Sequence, residues 1–202
     1  QWVDQIDCFG QNTGQIFITV QNGELPIICS IEHAITGITK TDSLFNFTDT
    51  ITFRSLPSGP YNIRLTDQNG NDTLTIVNIL ERPKLSVLAT ISNFNGYGVS
   101  CHNYNDGFIT LDINGGTQPY NLKWSTGSAD TLLSDLYAGN YEGLITDSLN
   151  CIQNISYQLK EPDSLYLRLA ISENDCEQNA SLSLVNPNGG VPPYTLSING
   201  TE

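Results

Sequence analysis

Apolar and polar positions alternate with a period of two along most of this chain. Ile109, Leu111 and Ile113 fall on one face of a stretch whose Thr110 and Asp112 fall on the other, and Ile16, Ile18 and Val20 repeat the pattern with Thr19 turned away. Tyr120, Leu122 and Trp124 form a further alternation. Gly115-Gly116, Ser58-Gly59-Pro60 and Ala138-Gly139-Asn140 interrupt these runs as turns, the last two just ahead of strands that carry Tyr61 and Tyr141. No long stretch has a helical period. The pattern predicts an all-β chain, with about seven short strands in roughly 80 residues, the signature of a small antiparallel sandwich of immunoglobulin-like architecture.

The pattern also repeats. Cys101, Gly116 and Pro119 follow Cys8, Gly23 and Pro26 by 93 residues each, whereas Leu136, Gly139, Tyr141 and Asp147 follow Leu56, Gly59, Tyr61 and Asp67 by 80. The first copy therefore carries 13 extra residues, placed near 33–50. A third copy starts around Cys176, and Asn188 to Tyr194 restates Asn114 to Tyr120 before the sequence stops at Glu202. Such repetition marks an array of one structural unit. The expected units are 1–82, 83–161 and a truncated 162–202, joined at Glu81-Arg82-Pro83 and Glu161-Pro162. Short proline-bearing joints predict tandem sandwiches held in a semi-rigid rod.

Charge narrows the partners. Eight Lys and Arg stand against 21 Asp and Glu, a net charge of −13, which repels phosphate backbones and anionic lipid surfaces. Nucleic acid is excluded as a partner. There is no apolar run long enough for membrane insertion and no charged-then-apolar leader at Gln1, so the expectation is a soluble chain, or a soluble piece of something anchored elsewhere. Scarce Lys, abundant Asn and Thr, and five cysteines point to export into an oxidising setting.

Cys101 lies near the first strands of its copy and Cys151 at the start of the last, which predicts a Cys101–Cys151 bridge. In the first copy Asn71 stands where the second has Cys151, and Cys29 stands where it has Leu122. This predicts a compensating Cys8–Cys29 bridge, each bond contributing roughly 3–4 kcal/mol. Cys176 would find its partner beyond Glu202. Five free thiols remain the competing reading. Zinc is disfavoured, because no CxxC or Cys/His spacing is present.

Catalytic signals are weak. His33 and His102 are the two histidines, neither near a Gly-x-Ser-x-Gly elbow, and read as loop or surface groups. Asp106 and Asp112 read as solvated strand carboxylates. Asp67 to Asp72 has a superficial likeness to a calcium loop but fits a hairpin turn on Asn69-Gly70 better, and calcium at the joints through Glu81 or Glu161 is weaker still. The expectation is no enzyme, no metal and no cofactor.

The order Cys101, Asp106-Gly107-Phe108-Ile109, Gly115 to Tyr120, Lys123 to Gly127, Leu136 to Tyr141 and Asp147 to Cys151 resembles the SprB-type repeat. That family occurs in very long cell-surface adhesins of gliding Bacteroidota, exported by the type IX secretion system. The second copy matches throughout; the first lacks the Trp and the second Cys. The resemblance implies an extracellular, cell-surface location, secretion and gliding machinery as partners, and a surface polysaccharide or other cell-surface ligand. Asp-Ser/Thr-Leu/Ile triplets, similar to the O-glycosylation motif of exported Bacteroidota proteins, place candidate acceptors at Ser43, Thr50, Thr73, Thr131, Ser148 and Ser164. The same triplets also suit a turn entering a strand.

Together these readings predict a non-enzymatic segment of a secreted adhesin, a sandwich stalk contributing to attachment or gliding, with the Ile35 to Phe47 insertion as its variable contact. Two alternatives stand beside it. One is a carbohydrate-binding module of a secreted hydrolase, using Tyr97, Tyr104, Tyr137 and Trp124 as stacking aromatics; the other is a passive spacer.

Overall fold

A computed structural model describes residues 1–173 and 180–195, and these contain strands, turns and no helix. They divide into two compact units. The first comprises residues 1–86 together with 114–120 and 146–152; the second comprises 87–113, 121–145 and 153–202.

The first unit holds β1 (Trp2–Asp4), β2 (Gly14–Ile18), β3 (Ile27–His33), β4 (Thr39–Leu44), β5 (Ile51–Leu56), β6 (Gly59–Thr66) and β7 (Asp72–Ile79). They form a three-stranded sheet in the order β1-β2-β5 and a four-stranded sheet in the order β4-β3-β6-β7, with antiparallel pairing throughout. Alternation decides which side is core. Ile27, Cys29, Ile31 and His33 of β3 are buried while Ile28 and Glu32 are exposed. Ile27, Cys29 and Ile31 join Ile16, Ile18, Phe53, Tyr61, Ile63 and Ile79 in one continuous apolar cluster, the two-sheet arrangement expected of an immunoglobulin-like sandwich.

The second copy repeats this plan with one strand fewer. β8 (Ser86–Ile91), β9 (Gly107–Asn114) and β11 (Leu132–Leu136) form one sheet, in the order β8-β9-β11, and β10 (Asn121–Trp124), β12 (Gly139–Thr146) and β13 (Ile152–Leu159) the other, in the order β10-β12-β13. β4 has no counterpart, and it lies where the register between the copies changes from 93 to 80. The 13 extra residues thus supply an edge strand, paired only with β3. β14 (Tyr166–Glu173) and β15 (Ala180–Asn188) form an antiparallel pair. Cys176 lies outside the described residues.

Residues that recur at fixed spacing turn out to be turn locks and packing pairs. Tyr61 Oη donates to Pro57 O at 3.1 Å, and Tyr141 Oη donates to Tyr137 O at 2.8 Å. Each phenol reaches back four residues to fasten the turn before its own strand, in the manner of a tyrosine corner. Gly14 and Gly107 are required by their neighbours: a Cβ would lie 2.8 Å from the backbone O of Leu56 in one copy and 2.9 Å from the backbone O of Leu136 in the other.

The Trp found only in the second copy has a packing explanation. Trp124 is 2% exposed, and a Cβ on Gly143 would lie 3.1 Å from its ring. In the first copy the same two positions are Ile31 and Ile63, directly paired across β3 and β6. Two medium side chains in one sandwich become one large and one absent in the other, which conserves core volume.

Candidate functional site

A set of matched interactions surrounds the turn at 146–152, which belongs to the first unit. Asp147 Oδ1 accepts from the backbone N–H groups of Leu149 and Cys151, both at 2.9 Å, and Oδ2 accepts from Thr117 N–H at 2.8 Å. Burial alone would raise this carboxyl, but those donors and the Arg82 charge hold it below its ordinary value. The register-equivalent turn in the first copy has the same form. Asp67 accepts from Asn71 N–H at 2.8 Å and from the Asn71 side-chain amide at 3.0 Å.

Where Asn71 makes that amide bond, Cys151 makes a disulfide to Cys8, with Cα atoms 5.5 Å apart and 143 residues of sequence between them. Cys8 is carried on a short loop fixed by Gly10 N–H donating to Glu81 Oε2 at 2.8 Å and by Gln11 N–H donating to Cys8 O at 3.2 Å.

The expected pairs Cys8–Cys29 and Cys101–Cys151 are therefore corrected. Cys29 is a free thiol, fully buried on the inward face of β3, and burial followed by the nearby Asp42 charge pushes it up to about 12. It fills the place of Leu122 as a small apolar side chain. Cys101 is free and exposed. Pairing within each copy assumed that a sequence copy closes on itself. The compact first unit instead takes in 114–120 and 146–152, through Gly116 N–H to Pro83 O at 2.9 Å and through Cys151.

The histidines are not brought together into a catalytic group. His33 is 3% exposed and packs edge-on against Tyr61. Its Nδ1 accepts from the N–H groups of Ile35 and Thr36 at 3.3 and 3.1 Å, which leaves Nε2–H to donate to Ser58 O at 2.9 Å. His33 is thus a structural clamp on the turn that launches β4, a role its sequence position did not signal. His102 is solvent-accessible, with Nδ1 3.2 Å from Glu161 Oε1. Asp106 accepts from Ser100 N–H at 2.9 Å and serves as a local cap, while Asp112 sits exposed on β9.

The insertion presents an apolar free surface. Ile35 is 77% and Phe45 67% exposed, with Ile38 and Phe47 also exposed, so the two flanks of β4 both project large apolar groups into solvent. The proposed stacking aromatics are split. Tyr104 and Tyr137 are exposed and Tyr97 is half-buried, but Trp124 is a core residue whose Nε1–H donates to Asp130 O at 2.9 Å. Of the candidate glycan acceptors, Thr50, Thr73, Thr131, Ser148 and Ser164 are exposed and Ser43 is half-buried; Ser148 Oγ also donates to Thr117 O at 3.0 Å.

Two sandwiches of repeated plan, with strong clusters at their turns, define a tandem immunoglobulin-like all-β protein. Residues 99–129, spanning the Cys101 loop, β9, the Gly115-Gly116 turn and β10, match the family model of the SprB repeat. No curated protein matches the chain. Among solved structures it is similar to a C-terminal fragment of intimin in complex with the translocated intimin receptor intimin-binding domain, at 10% identity and TM-score 0.40, covering 83% of this chain and 67% of that one. The N-terminal eight Ig domains of Down syndrome cell adhesion molecule match at 15% identity and TM-score 0.29, over 81% of this chain and 23% of that one. Murine CEACAM1b matches at 14% identity and TM-score 0.26, over 78% and 94%.

Proposed function

We propose that this chain is a non-enzymatic segment of a secreted cell-surface adhesin, in which repeated sandwiches form a stalk and the insertion of the first copy makes the specific contact. The observation that carries this reading is the SprB repeat at 99–129, lying within a second copy whose plan the first copy shares and then enlarges by β4. A variable edge on a constant scaffold is where recognition is usually placed. Type IX export, a role in gliding and O-glycosylation at the six acceptors follow from the family and belong to the same proposal. A disulfide between Cys8 and Cys151 fits an oxidising, extracellular compartment. The carbohydrate-module alternative loses its strongest aromatic, because Trp124 is inside the core.

The test is attachment of beads coated with the full chain, compared with beads coated with a chain in which 35–47 is replaced by a short turn. Loss of most attachment with the β-sheet circular dichroism spectrum retained supports the contact role. Undiminished attachment assigns binding elsewhere, and no attachment by either chain leaves these units as a spacer.

A further inference from the structure

The loop that carries Cys101 shares three hydrogen bonds, at register-equivalent positions, with the loop that carries Cys8. Ile6 N–H donates to Leu80 O at 2.9 Å, and Val99 N–H donates to Lys160 O at 3.3 Å; Gln11 N–H meets Cys8 O and Tyr104 N–H meets Cys101 O, both at 3.2 Å. Gly10 N–H donates to Glu81 Oε2 at 2.8 Å, and Asn103 N–H to Glu161 Oε2 at 2.6 Å. Gly10 and Asn103 share a left-handed backbone, with φ of 76° and 57°.

The receiving side is also duplicated. Next to Cys151, Gly116 N–H donates to Pro83 O at 2.9 Å and Tyr120 Oη donates to Gly115 O at 2.6 Å. In the third copy Gly190 N–H donates to Asp163 O at 2.7 Å and Tyr194 Oη donates to Gly189 O at 2.7 Å. A Cβ on Gly115 would lie 2.0 Å from Lys84 O, and one on Gly189 would lie 2.1 Å from Ser164 O. The third copy therefore begins the same seat that positions the Asp147–Cys151 turn beside Cys8.

From this duplication we infer that Cys101 is the donor sulfur of the next disulfide in a series, its partner being the cysteine of an Asp-x-x-x-Cys turn in a completed third copy of the same chain. Each such bond joins the first loop of one copy to the last turn of the following one. Formation takes one proton from each thiol and two electrons from the pair, which pass to an external disulfide oxidant that is reduced to two thiols. Asn71 shows the alternative state of the seat: with Asn in place of Cys, the turn closes on its own aspartate and accepts no bond.

The experiment replaces residues 189–202 of the chain with the sequence of residues 115–161, and prepares a second version with Asn at the added cysteine. Both are oxidised with glutathione disulfide and digested without reduction. The inference expects a Cys101 peptide linked to the added cysteine in the first version, and Cys101 recovered alkylated in the second, with Cys8–Cys151 linked in both. Cys101 recovered alkylated in the first version, or linked to Cys151 in either, overturns it. Disulfide mapping of the chain as its source secretes it gives the same decision without a splice: Cys101 linked to a cysteine four residues after an aspartate supports the inference, and a free Cys101 refutes it.

Discussion

Asp147, Asp67 and Asp106 each hold a turn by accepting backbone N–H bonds, and each is kept below its ordinary value of 3.8, Asp67 chiefly by Asn71 and Asp106 chiefly by Ser100. A carboxyl depressed in the folded state contributes stability above its unfolded value and loses it as pH falls through the folded one. Thermal melts should therefore be flat from pH 7 to about 5 and decline below about pH 4; a melting temperature unchanged at pH 2.5 would contradict this. Asp147→Ala, which strands one buried and two part-buried donors, should cost roughly 2–3 kcal/mol by denaturant titration. Core volume gives a sharper test. Gly143→Ile should clash with Ile155, whose Cγ1 would lie 2.9 Å from a Cβ there, as well as with Trp124, and destabilise by about 2–4 kcal/mol; Trp124→Ile added to it should recover only the part of the loss due to the ring. The inward faces of Ile16, Ile18, Ile109, Leu111, Leu122 and Trp124 were readable from alternation alone. The role of His33 was not, since it depends on Ser58 and Gly59, which lie about 25 residues away and touch it only after β3 and β6 pair.

β4 shows what an insertion does to a sandwich. Its outer edge is unpaired, and its launch point is held by His33 from inside the core rather than by its own sequence. His33→Ala should therefore free the N–H groups of Ile35 and Thr36, raising their hydrogen-exchange rates at least tenfold while amides of β2 and β5 keep their protection. Equal acceleration across the sandwich would mean that His33 serves the fold as a whole. Sequence register located the extra 13 residues and bounded them to 33–50; that they make a strand pairing with β3 was not legible, because Thr39 to Leu44 (TKTDSL) carries almost no apolar alternation. Its strand character comes from the neighbour it pairs with, a tertiary effect on a weak local preference.

Chain-wide, the shared strand plan of the first and second copies could be read from spacing, but the bonding between them could not. Cysteine spacing offers several connectivities, and the observed one is chosen by the Glu81 loop and the Asp147 turn, neither of which is a cysteine signal. The bond closes a loop of 143 residues, worth roughly 5 kcal/mol in the chain-entropy treatment. Cys8→Ser should accordingly lower the calorimetric transition of the first unit by several degrees, whereas Cys101→Ser in the same chain should leave it unmoved. The same bond has a consequence for survival among proteases. A single cut at the exposed Ile35 turn, or at any other point between Cys8 and Cys151, yields two polypeptides that remain one molecule. The nicked protein would run as a single species until reductant is added, its two pieces staying together after damage that would part an unbridged chain.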